Sequence, residues 1–237
     1  MAQYTYLIVN ILTIIICFSF SFHPKIRFYM YFGAFLLASV TVGVPFIIWD
    51  IWFTARGVWW FDDKYIMGLR IAGLPIEEIL FFVCIPFSCV FTHYCLNKFF
   101  NWGWAARYNN GITVAGCLLA ILSLLKYSNE LYTAFTAIVL FLTLIIMNRI
   151  VKYNGLGQLT LAYLLLMPGF ITVNGVLTGT GLDSPVVNYT PSAITGYRIL
   201  TIPLEDFAYG YVLVLLNIMV FNAIRGKKTL TIAVHKP

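Results

Sequence analysis

Apolar residues in this chain gather into long runs separated by short polar stretches. Seven runs approach the roughly 20 residues that a helix needs to cross a bilayer. They cover about 4–22, 30–53, 76–97, 112–126, 131–148, 157–177 and 203–222. The fourth is the shortest and is interrupted by Gly116. The pattern predicts an all-α polytopic membrane protein with about seven transmembrane helices. The first run is expected to stay in place rather than act as a cleaved signal. No Lys or Arg precedes it, no small-residue cleavage site follows it, and the first bases, Lys25 and Arg27, come after it.

Seven spans divide the loops into two sets. One set carries Lys25, Arg27, Lys98, Arg107, Arg149, Lys152, Arg225, Lys227, Lys228 and Lys236, ten of the fifteen bases. The positive-inside rule puts that set in the cytoplasm, with the amino terminus outside and the carboxyl terminus inside a cytoplasmic membrane. The acids fall at or near the opposite side. The net charge of +6 therefore describes a membrane surface facing anionic lipid, not a nucleic-acid site.

Composition agrees. The chain is 61% hydrophobic and 10% charged, against about 25% charged in soluble domains, and its mean hydropathy is +0.87. The five cysteines lie in or beside apolar runs, form no CxxC pair, and read as packing residues.

The chain also repeats itself. IMGLRIAGLPIEE (66–78) and ITGYRILTIPLED (194–206) share six of thirteen positions without a gap, including Arg70/Arg198, Pro75/Pro203 and Glu77/Glu205. A long loop precedes each copy and an apolar run follows it. With three spans in each half and one between, the halves are expected to be parallel three-helix repeats joined by a linker helix. The expected division is 1–100 for the first repeat, 101–128 for the linker with span four, and 129–237 for the second repeat and a basic cytoplasmic tail.

Candidate chemistry concentrates at these duplicated helix starts. Proline suits the first helical turn, where its missing N–H costs nothing. The carboxyls that follow, Glu77 and Glu78 in one copy and Glu205 and Asp206 in the other, meet two opposed influences. Free helix N–H groups favour their ionised form and desolvation favours their neutral form, a setting for acid–base chemistry. Arg70 and Arg198 are candidates to hold one partner ionised. A single such motif on a soluble helix would read as a cap. Here the acids lead into membrane spans and occur twice, and ionisable groups at that depth are costly and functional by default. Phe81, Phe82 and Tyr209 lie one turn below the carboxyls, where aromatic faces could stabilise a cation. The cluster Trp49, Trp52, Trp59, Trp60 and Phe61 suits either such a site or an interfacial aromatic belt. No nucleotide-binding glycine motif, no DDxxD and no histidine cluster is present, so neither a cofactor nor a metal is expected.

The start QYTYLIVN, the segment IIWDIWFTARGVWWF, and above all GLPIEEILFF with its second copy IPLEDFAYG resemble the lycopene cyclase-domain family. The resemblance is closest to its fused form, in which the two small subunits of heterodimeric bacterial carotenoid cyclases are joined. It implies a lycopene β-cyclase that needs no cofactor and draws lycopene or a related linear carotenoid from the membrane lipid. Such an enzyme converts the linear ends to β-ionone rings by proton-initiated, non-redox carbocation cyclisation. Other enzymes of carotenoid synthesis become candidate partners. Carrying the motif over makes Glu77 and Glu205 the expected essential pair, supported by Glu78 and Asp206 and by Pro75 and Pro203. A proton-coupled transporter and a non-catalytic carotenoid- or isoprenoid-binding membrane protein are the competing readings of the same carboxyls and aromatics.

Overall fold

The structure, a computed structural model, describes residues 2–234, with side chains as far as Gly226. The end of the expected basic tail, His235 and Lys236, lies outside the described residues. Seven helices dominate: α1 (Thr5–Phe20), α2 (Phe32–Ala55), α3 (Ile76–Phe99), α4 (Asn109–Lys126), α5 (Leu131–Ile145), α6 (Leu156–Leu177) and α7 (Leu204–Val234). Each belongs to a segment long and apolar enough to cross a membrane. Leu12, Ile16, Leu37, Leu119 and Leu125 stand exposed on helix surfaces, which lipid tolerates and water does not. The chain is a multi-pass membrane protein.

Six of the expected spans agree with these segments to within a few residues. The fourth does not: it begins well before residue 112, because the 3₁₀ turn Gly103–Tyr108 feeds straight into α4. Gly116 interrupts nothing; it lets Leu144 of α5 pack closely against the α4 backbone. Beyond α5 the chain widens into a π turn, Ile146–Ile150.

Among the described residues, six short strands accompany the helices: β1 (Trp59–Phe61), β2 (Arg70–Ile71), β3 (Leu74–Pro75), β4 (Val187–Tyr189), β5 (Arg198–Ile199) and β6 (Ile202–Pro203). β2 and β3 form a hairpin over the start of α3, and β5 and β6 form its counterpart over α7. In the first, Ala72 and Gly73 both take positive φ (51° and 89°), the tight turn that matches strand twist. The prolines sit one position earlier than expected. Pro75 ends β3 and occupies the N-cap of α3 (φ −59°, ψ 147°), pairing with Arg70 across the hairpin. Its ring suits that extended conformation, and its missing N–H is harmless in a two-residue edge strand.

β1 and β4 come from different repeats and pair antiparallel, with Trp59 opposite Tyr189, Trp60 opposite Asn188 and Phe61 opposite Val187. In the register of the repeat, where Ile66 matches Ile194, Trp59 corresponds to Val187 and Phe61 to Tyr189. The pairing is therefore symmetric about Trp60 and Asn188, as a twofold axis through that pair requires. The helices obey the same relation: α1 packs on α3 as α5 packs on α7, while α4 lies against α5.

Two apolar clusters form the interior. One, around Phe28, Phe87, Tyr94 and Phe221, fills the end of the bundle away from the motifs. The other, around Trp49, Phe53, Trp59 and Tyr132, lies at the motif end.

Candidate active site

Successive helical residues point about 100° apart, so the two acids of each motif diverge. Glu77 folds back toward the segment before its helix: its Oε1 accepts the Met67 backbone N–H at 2.7 Å. Glu205 does the same with the Thr195 N–H at 2.7 Å and also accepts the Thr133 hydroxyl. Both are buried, and Oε2 of each has no hydrogen-bond partner among the described residues. These glutamates tie each hairpin to the helix beneath it.

Glu78 and Asp206 point the other way, into a cavity of about 510 Å³. Glu78 Oε2 accepts the Tyr6 hydroxyl from the start of α1. Asp206 Oδ1 accepts the Tyr132 hydroxyl from the start of α5 at 2.7 Å, and its Oδ2 accepts the Tyr189 hydroxyl at 2.9 Å. The two arrangements match across the repeat: the first helix of each half offers a phenol to the second acid of the motif. Tyr189 lies in β4, and its phenol pKa is raised well above its ordinary value by burial and by the neighbouring Asp206.

A third carboxyl joins them. Asp50, buried near the end of α2, lies within hydrogen-bonding reach of Glu78. Its Oδ1 accepts the Tyr209 hydroxyl at 3.0 Å. Glu78, Asp50 and Asp206 all line the cavity, whereas Glu77 and Glu205 do not.

The rest of the lining is mostly apolar. Trp59, Phe61, Phe81 and Tyr209 surround the carboxyl end. From there the cavity follows α3 past Ile85 to Ser88 and Thr92, a depth of about 20 Å at 1.5 Å per residue. Leu12 of α1 and Gly169 and Thr172 of α6 line it while also standing exposed on the bundle surface. The cavity thus opens sideways between α1 and α6, toward the region that lipid would occupy.

Other sequence candidates lie elsewhere. Among the described residues, neither Arg70 nor Arg198 forms a hydrogen bond or ion pair with a motif carboxyl. Arg70 bonds Asp63 Oδ1 and the Gly73 carbonyl, and Arg198 bonds the Thr201 carbonyl. Each clasps its own hairpin turn, because the extended strand carries the arginine away from the helix start. Phe82 does not line the cavity; it packs near Phe46, with ring centroids 6.2 Å apart. Of the tryptophan cluster, Trp59 lines the cavity and Trp49 is buried behind it, while Trp52 and Trp60 face outward as belt residues would.

Asp50, Tyr6, Tyr132 and Tyr189 join the site without belonging to the duplicated motif. Asp50 carried a usable signal, since a lone carboxyl inside IIWDIW is an ionisable group within a span. The tyrosine pair is visible only if the repeat comparison extends into the first helix of each half with a shifted register.

A bundle of membrane-crossing helices thus surrounds a mostly apolar chamber that opens sideways and has carboxyls at one end. The lycopene cyclase family model matches this chain twice, over residues 3–96 and 129–224. The chain belongs to the lycopene cyclase family, and its substrate class is the carotenoids. The double match coincides with the internal repeat. Neither the curated proteins nor the solved structures give a match.

Proposed function

We propose that this chain cyclises the linear ends of lycopene, or a closely related linear carotenoid, to β-ionone rings. The observation that carries this reading is the placement of three carboxyls at the head of an otherwise apolar, laterally open cavity. In the proposed reaction, a carboxyl proton adds to the terminal double bond and leaves a tertiary carbocation. A neighbouring double bond attacks it and closes the six-membered ring. A carboxylate then removes a ring proton and forms the ring alkene. One proton enters and one leaves, so the product is an isomer of the substrate.

The residues suit these steps. Asp50 and Glu78 can hydrogen-bond to one another only by sharing a proton, and two like charges in a dry site are strongly disfavoured. That pair is the proposed proton donor. The Tyr6 and Tyr209 phenols stabilise the negative charge left behind. Asp206 receives phenol O–H groups on both oxygens, which favours a carboxylate able to act as the base. The cation between them faces Phe81, Trp59 and Phe61, each aromatic face contributing about 0.5–2 kcal/mol, in a cavity whose apolar walls disfavour water. Glu77 and Glu205 position the hairpins, which reverses the ranking expected from the motif alone.

The duplicated match supports a chain that joins the two subunits of a heterodimeric cyclase. The distribution of bases supports a cytoplasmic membrane with the carboxyl end of the cavity toward the outside. Expression in lycopene-accumulating cells, followed by chromatography of the pigments, tests the whole reading. Ring-bearing products are expected; unchanged lycopene beside a correctly folded membrane protein would sink it.

A further inference from the structure

A duplicated scaffold should offer two cavities related by the twofold axis, yet both inward-facing motif acids, Glu78 and Asp206, line the same one. The second chamber would lie between α2, α3, α5 and α7. Its contents follow from aligning the helices on their shared features: the interior prolines Pro45 and Pro168, the acid-binding Tyr6 and Tyr132, and the acids themselves. Where α6 lines the open cavity with Gly169, Thr172 and Val176, α2 carries Phe46, Trp49 and Phe53. Val9 is matched by Phe135, and Gly210 by Phe82.

These large residues pack on one another. Ring centroids lie 4.7 Å apart for Trp49 and Phe135, 5.7 Å for Trp49 and Phe53, 5.5 Å for Phe53 and Phe135, and 5.6 Å for Phe46 and Trp49. By contrast, a side chain added at Gly169 would meet nothing within 4 Å at its Cβ. Asp50 is matched by Val173, so the third carboxyl also has no counterpart.

We infer that the protein has one working cavity where its duplication would give two, the other being plugged by aromatic residues. A linear polyene with two reactive ends must then be cyclised one end at a time. The half-cyclised molecule leaves by the lateral opening and returns reversed. This inference rests on the cyclase reading above and adds the order of events to it.

The test pairs a variant with a time course, using protein in liposomes loaded with lycopene. Gly169→Phe places in the open cavity the residue that plugs its twin, and Leu119→Phe, on the exposed surface of α4 away from the cavity, serves as the control. One cavity predicts that Gly169→Phe loses ring formation at both ends by more than tenfold, while Leu119→Phe stays near the unmodified protein. With lycopene in large excess, the unmodified protein should release free one-ringed product in amounts exceeding the enzyme before any two-ringed product forms. Retention of about half the ring formation in Gly169→Phe, or two-ringed product forming without free one-ringed product, would overturn the inference and leave the cyclase reading standing. Absence of any ring from the unmodified protein overturns both. The time course needs no variant, so misfolding of Gly169→Phe leaves the inference testable.

Discussion

The two halves of this protein share a scaffold and differ in what they put behind it. Both hold a hairpin over a helix start, fold one glutamate back to secure it, and send the next acid inward to meet a tyrosine from the half's first helix. Behind that common frame the first half's second helix is packed with Phe46, Trp49 and Phe53, while the second half's equivalent carries Gly169, Thr172 and Val176 at the matching positions, beside open space. Symmetry supplies a matched pair of inward acids. Its loss leaves open space on one side only, a third carboxyl and unequal surroundings. Identical halves would give both inward acids the same environment, whereas the proposed reaction needs an acid and a base.

The comparison can be broken most decisively at the inward acids. Glu78→Gln and Asp206→Asn should each lower ring formation by about 10²–10⁴-fold, the range for loss of a general acid or base, measured as product formed per mole of folded protein. Asp50→Val, which gives the first half the residue of the second, should fall into the lower part of that range by the same assay. An Asp50→Val protein with normal activity would mean that the halves act equivalently. Glu77→Gln and Glu205→Gln should act on stability more than on chemistry. Disturbing a buried, hydrogen-bonded acid costs about 1–3 kcal/mol, read as a lower midpoint of thermal unfolding in detergent while the remaining folded protein still forms rings. If these two variants instead abolish turnover in fully folded protein, the division into inward and backward acids is wrong.

The smallest effect concerns the outer clasp between the halves, where Asp62 accepts hydrogen bonds from the Ser184 hydroxyl at 2.7 Å and the Lys64 backbone N–H at 2.9 Å. These bonds, Ser184 first, hold the Asp62 carboxyl below its ordinary range. A lowered folded-state pKa stabilises the fold above the unfolded-state value of about 3.9. That contribution is lost as pH falls through the lowered value. Ser184→Ala should reduce the unfolding midpoint near neutral pH by about 1–3 °C and narrow its gap to the unmodified protein as the pH is taken below 4. A gap that stays constant down to pH 2 would show that the clasp does not depend on the ionised carboxyl.

The spans were legible because a bilayer leaves few alternatives to long apolar helices, and the repeat because its two copies align without a gap. The choice between neighbouring acids was not. Glu77 and Glu78 are indistinguishable in sequence, and which one faces the cavity depends on the rotation of α3. Tertiary contacts fix that rotation: Asn10 Nδ2 donates to the Glu77 carbonyl at 2.8 Å and Ser39 Oγ to the Phe82 carbonyl at 3.1 Å. Asp50 looked like one more acid near a membrane face, because only the packing of α2 on α3 and α7 carries it to Glu78 and Tyr209. The arginines misled for a related reason. Arg70 is close to the motif in sequence, but the hairpin that pairs it with Pro75 turns its side chain outward, onto Asp63 and the Gly73 carbonyl.

The ribbon formed by β1 and β4 has a consequence for how such a protein can be assembled. It is reinforced by bonds from the Asp62 N–H to the Val186 carbonyl and from the Thr190 N–H to the Val58 carbonyl, both 2.9 Å. Each strand alone presents an unsatisfied edge, and the partner that satisfies it is the matching strand of the other half. The instructions for joining the halves are thus written at the roof of the cavity and not in the linker. A chain cut near residue 101 would keep those instructions on two pieces, and the covalent connection would then supply local concentration rather than geometry.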